Sequence, residues 1–576
     1  MASIGEYDLK KIGSDLKRII DESSERGLRH TDIWASELYC ALIDQIGTDT
    51  DFNSSELIEN KREDIKANER EYAYYRRAKS YFDNQEYDRA AYFVQHSTSP
   101  VARFLHYYST YCSGEKKRLD DIAEASSPND RSKNSVLKSL RLQLQKAHIS
   151  GSLDGYCLYL YGVVLKKLQL EKYALEILCE AVQKEPLFWG SWLELATLIS
   201  DREMLNDLTL PDCWIKDFFL AHTYLEIQMN ESALEIYSSL MEAGFSKSTY
   251  VMAQIAIAHH NMRNLEEAIV GFQDILKVDP YRLDNLDIYS NLLYVQEMRV
   301  ELSNLAHNTC DIDKYRVETC CVIGNFYSLR TQHEKAVLYF QRALKLNPSY
   351  LSAWTLMGHE YMEMKNTSFA IQAYRQAIEV NRRDYRAWYG LGQTYEILKM
   401  PYYCLYYYKQ AQYLRPYDSR MMVALGEAYE KLDKLKEAKK CFWKAHAVGD
   451  IEGMALIKLA KMYEKLNEEK QAAAAYTNYI RDAEARNATD RDELCHAYLY
   501  LAKYYYEHLK LEEAHENAQK CLDYPETKED AKALLRQITA RRIHAEEIKP
   551  NSGVYRFPNT TPSPVHISPM NLTFTP

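Results

Sequence analysis

The sequence predicts an all-α protein, a superhelical solenoid of about ten to thirteen helical hairpins, and three observations lead to this prediction. A pattern of small and aromatic residues recurs every 34 residues through most of the 576-residue chain. Glycine (19 residues) and proline (15 residues) are scarce, so the many turns of a β-sandwich or barrel are not expected. Tyrosine is abundant, with 48 residues, and such a composition does not fit a disordered chain.

The repeat is clearest between residues 249 and 486, where we number each 34-residue unit from position 1 to position 34. Position 8 is Ala, Ser or Gly in all seven units, and position 24 is aromatic in six of them. Small residues let two helices approach closely, and aromatic rings fill the space between one hairpin and the next. This combination is typical of the tetratricopeptide repeat. The units begin at Thr249, Leu283, Val317, Leu351, Tyr385, Ser419 and Gly453.

The amino-terminal part of the chain follows the repeat less well. Residues 1–65 have helical periodicity but are out of phase with the repeat. Residues 66–248 predict a degenerate array of the same hairpins. The stretch 113–153 is rich in serine and charge, and we interpret it as a solvated insertion carrying a short helix near residues 136–146.

At the carboxyl end, residues 487–547 predict one more hairpin and a capping helix. Residues 548–576 contain six of the fifteen prolines and predict a disordered tail. Four Ser/Thr-Pro steps in the tail fit proline-directed phosphorylation, which would add negative charge. The alternative is that these prolines only keep the tail extended. The candidate sites are Thr561, Ser563, Ser568 and Thr575.

The net charge, the longest apolar run and the cysteine spacing indicate which partners and which compartment to expect. The formal net charge is −10, so nucleic acid is not the expected partner. The longest apolar run, Tyr156–Leu165, is too short for the roughly 18 residues that a membrane helix needs, and the amino terminus does not resemble a signal peptide. The twelve cysteines contain no CxxC pair, which predicts reduced thiols in the cytosol or nucleus.

Motifs for catalysis are absent from the sequence. It has no phosphate-binding GxxxxGK[ST] loop, no GxGxxG, no HExxH and no GxSxG. The repeats occupy nearly the whole length, so no room remains for a separate catalytic domain. We therefore expect a protein that is not an enzyme and that needs neither a metal nor another cofactor.

A binding surface is expected on the concave wall that the first helix of each hairpin forms. Positions 2, 5, 9 and 12 share one helical face there, and this face is polar, with amides, carboxylates and few lysines. It suits an extended peptide, whose arginine could pair with a carboxylate; the alternative is an ordinary solvated face. The candidate residues are Asn291, Tyr294, Asn325, Ser328, His359, Gln393 and Glu396, with Glu360 beside them at position 10.

A tyrosine-rich tract from Tyr402 to Tyr408 falls in a predicted second helix. Aromatic residues in such a helix usually pack between hairpins. The alternative is a surface for a partner protein, because tyrosine is common at protein interfaces.

Three segments, Cys320–Arg330, Trp354–Glu363 and Tyr385–Gln393, resemble the family of anaphase-promoting complex (cyclosome) subunit 8, also called cell division cycle protein 23. The resemblance extends through nearly the whole chain. It implies a scaffold in a cell-cycle ubiquitin ligase of the nucleus and cytoplasm, with ubiquitin transfer performed by other subunits. It also implies a homodimer formed through the amino-terminal repeats and stacking on other tetratricopeptide subunits.

The resemblance further implies that the groove receives an arginine-containing motif of a WD40-type activator protein, held by Asn325 and Glu360. A generic adaptor or co-chaperone that binds peptide tails is the alternative. Tetratricopeptide domains of that class generally carry a basic clamp on the concave wall, and its near absence argues against this alternative. An enzyme with an added repeat domain is less compatible with a chain that has no space for one.

Overall fold

The computed structural model describes five stretches of the chain: residues 8–46, 69–124, 134–450, 453–485 and 491–547. They contain 29 α-helices and no strand, which confirms the predicted all-α class. The chain divides into two compact units, Met1–Gln332 and His333–Pro576, and each is described by itself. The predicted tail and its four candidate phosphorylation sites, Thr561, Ser563, Ser568 and Thr575, lie outside the described residues.

The first unit contains seventeen of these helices, and a π-helical segment, Met241–Phe245, follows the twelfth. The helices are α1 Leu9–Arg26, α2 Arg29–Ile46, α3 Glu69–Asp83, α4 Tyr87–Phe93, α5 Pro100–Glu124, α6 Val136–Ile149, α7 Gly155–Lys167, α8 Glu171–Lys184, α9 Trp189–Ala196, α10 Arg202–Asn206, α11 Ile215–Glu226, α12 Asn230–Leu240, α13 Thr249–Met262, α14 Leu265–Val278, α15 Leu286–Val295, α16 Arg299–Ile312 and α17 Val317–Leu329.

The second unit contains the other twelve, with a short 3₁₀ turn at Cys521–Asp523. The helices are α18 His333–Leu346, α19 Leu351–Glu363, α20 Thr367–Val380, α21 Tyr385–Ile397, α22 Pro401–Leu414, α23 Ser419–Lys431, α24 Leu435–Val448, α25 Met454–Lys465, α26 Glu469–Ala485, α27 Arg491–Glu507, α28 Leu511–Lys520 and α29 Lys528–Glu547.

The 34-residue period is confirmed by the helix boundaries. The first helices of the seven units begin at or within three residues of the predicted starts, and the second helices all begin at position 17. Position 15 of every unit adopts a left-handed backbone, with φ between 54 and 68°, as at Lys365 and Lys399. The next amide then donates to the carbonyl of position 11 over 2.8–3.0 Å. This is the helix-ending geometry that reverses the chain between the two helices.

Small residues at position 8 make room for the aromatic ring at position 24 of the same hairpin. A Cβ atom on Gly358 would lie 2.5 Å from Cε1 of Tyr374, and the glycines at positions 392 and 426 face Tyr408 and Phe442 in the same way. The Tyr374 ring also meets the next hairpin, because a Cβ on Gly390 would lie 2.5 Å from its Cζ. The ring therefore fills space both within one hairpin and between two.

The amino-terminal helices α1 and α2 pack against repeats that are distant in sequence. Trp34 on α2 is stacked between Trp189 and Trp214, with ring centroids 4.7 and 6.2 Å away. Glu22 accepts a hydrogen bond of 2.7 Å from the Tyr156 hydroxyl, and Asp15 accepts one of 3.3 Å from the indole N–H of Trp214. Residues 9–46 are therefore part of the core of the first unit.

The interpretation of residues 113–153 as a solvated insertion is wrong for its second helix, α6. Helix α5 continues through this stretch to Glu124. The expected short helix is present as α6, but its apolar side is not solvated: Leu137, Leu140 and Leu144 are all buried. Their spacing of three and four residues forms an apolar stripe, which the surrounding serines and charges obscured in the sequence.

Candidate peptide-binding surfaces

An amide network joins two first helices of the first unit, α15 and α17. Asn325 is 2% exposed, and its Nδ2 donates to Ser290 Oγ over 2.8 Å and to Asn291 Oδ1 over 2.7 Å. Ser290 in turn donates to the carbonyl of Asp287. Both N–H groups of Asn325 are thus used within the protein, so its amide oxygen is the atom suited to accept a hydrogen bond from a ligand.

The other candidates of the first unit differ in exposure. Tyr294 is exposed and Asn291 is half-buried, whereas Ser328 is buried. Their positions in the repeat are those expected from the sequence. The face is nevertheless less accessible to solvent than an ordinary exposed helix surface, because two of its four candidate side chains, Asn325 and Ser328, are buried.

A buried carboxylate marks the first helix α19 in the second unit. Glu360 is 5% exposed, and His333, the first residue of α18, donates from Nδ1 to its Oε2 over 2.9 Å. A carboxylate in such a site loses most of its hydration, so cationic or hydrogen-bonding partners stabilise it strongly. His333 was not among the residues predicted from the sequence. It occupies position 17, the start of a second helix, whereas the candidates were taken from first helices.

His359, next to Glu360, holds its imidazole in the neutral form. The Tyr374 hydroxyl lies 2.8 Å from its Nδ1. The residue is exposed at the protein surface, and the protein packed against part of the ring limits its hydration. This desolvation, followed by the positive charge of Arg386, lowers the pKa of His359 to about 4.

The low pKa of His359 predicts that the chain loses stability in mild acid. The unfolded state has the ordinary histidine pKa of about 6.5, so it takes up a proton before the folded state does. The free energy of unfolding should therefore fall as the pH is lowered from about 6.5 to about 4. Chemical denaturation at a series of pH values measures this slope. His359→Gln should reduce the slope, and equal slopes in this variant and the unchanged chain would contradict the assignment.

Lysines of the following first helix pair with carboxylates of this face on α21 and α23. Glu396 accepts a hydrogen bond of 2.7 Å from the Tyr408 hydroxyl and also pairs with Lys431, while the neighbouring candidate Gln393 is half-buried. Glu396 is thus already neutralised by a lysine of the next first helix. Further ion pairs of this kind join Lys458 to Glu427, Lys461 to Glu493 and Lys465 to Glu430.

The tyrosine-rich tract on α22 is buried in part and exposed in part. Tyr408 is buried in the hairpin core, whereas Tyr402, Tyr403 and Tyr406 are more than half exposed. Packing between helices therefore accounts for only part of the tract.

Three further observations concern metal binding, membrane helices and the cysteines. In the part of the chain that the structure describes, no group of three or more His, Cys, Asp or Glu side chains could hold a metal ion. No described helix combines the length and apolar character needed to cross a bilayer. All twelve cysteines are free thiols.

Comparison with known proteins identifies the family. A family profile described as anaphase-promoting complex subunit 8 / Cdc23 matches residues 11–256. Anaphase-promoting complex subunit 8 of Dictyostelium discoideum is 38% identical over 412 residues, which cover 63% of this chain and 70% of that protein. The chain belongs to the anaphase-promoting complex subunit 8 family.

Other members of the subunit 8 family match a shorter stretch with higher identity. The human cell division cycle protein 23 homolog is 54% identical over 307 residues, covering 53% of this chain and 50% of the relative. Subunit 8 of Arabidopsis thaliana is 47% identical over 292 residues, with 50% of each chain covered. The chain thus spans about half the length of these curated relatives. A solved APC/C hetero-tetramer, Cut9-Hcn1, aligns with a TM-score of 0.48 and 18% identity, covering 81% of this chain and 96% of that one.

The subunit 8 profile and the candidate residues occupy different parts of the chain. The profile covers the amino-terminal repeats, whereas a tetratricopeptide repeat profile matches residues 317–350, 351–384 and 419–445. These three matches begin at predicted unit starts. Asn325, His359 and Glu360 lie in the first two of them, so the candidate residues stand in regular repeats of a subunit 8 family member.

Proposed function

We propose that this subunit 8 family member is a non-catalytic scaffold of the anaphase-promoting complex, and that its repeats bind an arginine-containing motif of a WD40-type activator and stack on other tetratricopeptide subunits. Family membership supports the scaffold role. The regular repeats in each unit support the binding role, because arrays of this kind present an extended surface to peptides.

The observation that carries the activator proposal is the burial of the Glu360 carboxylate. A guanidinium placed against it would form a charge-assisted hydrogen bond in a site with little water, where such bonds are strong. His333 orients the carboxylate through the 2.9 Å hydrogen bond to Oε2. In the first unit, the amide oxygen of Asn325 is a separate acceptor, and its orientation is set by Ser290 and Asn291.

The test is Glu360→Gln, which removes the charge and keeps an acceptor for His333. Alanine would be a poorer choice, because it would leave His333 without its acceptor. We expect the affinity for an arginine-containing activator peptide to fall about thirtyfold or more, as for other buried charge pairs that lose one partner. Fluorescence anisotropy with the full chain measures this loss.

The matched control is Glu363→Gln, one turn further along α19, where the side chain is exposed. It should bind the peptide as the unchanged chain does. Unaltered binding by Glu360→Gln, with the control also unaltered, would refute the role of Glu360 in the groove.

The remaining parts of the proposed function concern assembly and location. We propose a homodimer, residence in the nucleus and cytoplasm, and phosphorylation of the Ser/Thr-Pro steps in the tail. Because residues 9–46 belong to the core of the first unit, deleting the amino-terminal region would unfold repeats as well as remove an interface. Sedimentation of the full chain over a range of concentrations is therefore the appropriate test of dimerisation.

Scaffold and adaptor roles differ in the proteins that remain bound. Affinity purification of the full chain followed by mass spectrometry should recover other subunits of the anaphase-promoting complex in comparable amounts. Recovery of chaperones without these subunits would favour the adaptor.

A further inference from the structure

Arg415, at the end of α22, holds an unusual position. Its guanidinium carbon lies 4.2 Å from the ring centroid of Tyr385, the first residue of α21. Its Nε is buried, and no atom of the described residues accepts a hydrogen bond from it. A buried donor without an acceptor is costly, and such groups in native proteins often await a ligand or water.

Two further arginines stand beside this pair. Arg386 follows Tyr385 on α21, and Arg420 occupies the same position 2 on α23. Arg415 begins the turn that leads into α23. In this turn the amide of Asp418, the residue that caps α23, donates to the Arg415 carbonyl over 3.4 Å. The arginine cluster, Arg386, Arg415 and Arg420, is therefore drawn from the first turns of α21 and α23 and from the turn that leads into α23.

Two aspartates orient the outer arginines of the cluster. Arg420 contacts Asp418 through two hydrogen bonds of 3.2 and 2.9 Å, and Arg386 Nε lies 4.0 Å from Asp384. The side chains of Arg386 and Arg420 remain 38% and 31% exposed. The cluster thus combines three arginines with two aspartates, and the two outer guanidiniums are accessible to solvent.

The charges in the cluster act on one another. Burial lowers the pKa of Arg415, and the positive charges of Arg386 and Arg420 lower it further against the opposing effects of Tyr385 and Asp418. Burial alone would raise the pKa of the Tyr385 hydroxyl, yet the three arginines bring that pKa below its ordinary value. Like charges that interact in this way repel one another, and a bound anion would relieve the repulsion.

We propose that Arg386, Arg415 and Arg420 form a binding site for a phosphoryl group carried by a peptide. A phosphoryl group has three acceptor oxygens and close to two negative charges, which suits three guanidiniums better than a carboxylate with two oxygens and one charge. Arginine is also the residue best matched to phosphate geometry. The site goes beyond the proposed activator function, because it takes an anion whereas Glu360 takes a cation.

The experiment uses the full chain and a fluorescein-labelled Gly-Ser peptide with one central phosphoserine, compared with the same peptide carrying serine or glutamate. The phosphoserine peptide should bind at least about tenfold more tightly than the other two, and inorganic phosphate should compete with it. Arg386→Gln and Arg420→Gln should each weaken its binding by about tenfold or more. Both side chains are partly exposed, so these variants should fold, and circular dichroism checks that they do.

Two controls make the result specific. Arg342→Gln removes a guanidinium that lies 5.0 Å from a tyrosine ring in the same unit, and it should leave phosphopeptide affinity unchanged. Glu360→Gln should also leave it unchanged, so failure of the activator proposal and failure of this one can be told apart. No preference for the phosphoserine peptide, equal binding of the glutamate peptide, or full affinity in Arg386→Gln and Arg420→Gln would each overturn the proposal.

Discussion

Trp34→Ala should lower the apparent free energy of unfolding of the first unit by about 3–5 kcal/mol, the range typical of large aromatic residues removed from a core. The Trp34 ring is 5% exposed and stacks on Trp189 and Trp214. The edges of Phe218 and Tyr250 complete its surroundings, with centroids 5.8 and 6.3 Å away. Its removal would leave a cavity lined by four aromatic rings, which rigid helices cannot close.

The matched control is Ile33→Ala, because Ile33 is the preceding residue on α2 and is 57% exposed. It should change the unfolding free energy by less than about 0.5 kcal/mol. Guanidinium denaturation followed by circular dichroism measures both variants. Similar, small losses in the two would show that α2 does not dock on the repeats through Trp34.

The docking of α1 and α2 was not predictable from the sequence, although their helices were. Their apolar periodicity indicated helices. The partners of Glu22 and Asp15, however, are 134 and 199 residues further along the chain. Contacts at such separation are fixed by the geometry of the assembled repeats and leave no local pattern. The same applies to α6, whose buried leucines depend on neighbouring helices.

The repeats themselves were predictable because each hairpin uses the same local contacts. The starts of the second helices follow from the period, and the glycine at position 8 follows from the ring at position 24. The turns were harder to predict, since left-handed positions such as Lys365 and Lys399 are not glycine or asparagine, the residues usual there. The hydrogen bond that ends the first helix accompanies a backbone conformation that lysine does not favour.

The candidate site was predictable in position but not in environment. Position 9 and position 10 correctly place Asn325 and Glu360 on first helices, yet a helical face defined by spacing does not tell how deeply each side chain is covered. The pairing of Glu396 with Lys431 also could not be read from one repeat, because it joins two consecutive first helices 35 residues apart. Both features depend on how closely neighbouring hairpins stack.

Tyr374→Ala should lower the apparent free energy of unfolding of the second unit by about 3–5 kcal/mol. Tyr374 is fully buried, and its ring fills the space above Gly358 and beside Gly390. Its hydroxyl hydrogen bond to His359 is lost as well. Denaturation monitored by circular dichroism measures the change. Tyr402→Ala, at a side chain 73% exposed, serves as the control and should cost little.

Gly358→Ala tests whether the glycine is present because of this ring. In the unchanged chain the added Cβ would lie 2.5 Å from Tyr374 Cε1, so the ring must shift and stability should fall by about 1–3 kcal/mol. In the Tyr374→Ala background the same methyl group enters the vacated space, and its cost should vanish or become a gain. The two substitutions should therefore be non-additive, with an interaction energy of about 1–3 kcal/mol. Additive losses would mean that Gly358 is required by the backbone and that the contact between positions 8 and 24 does not explain the small residue of the repeat.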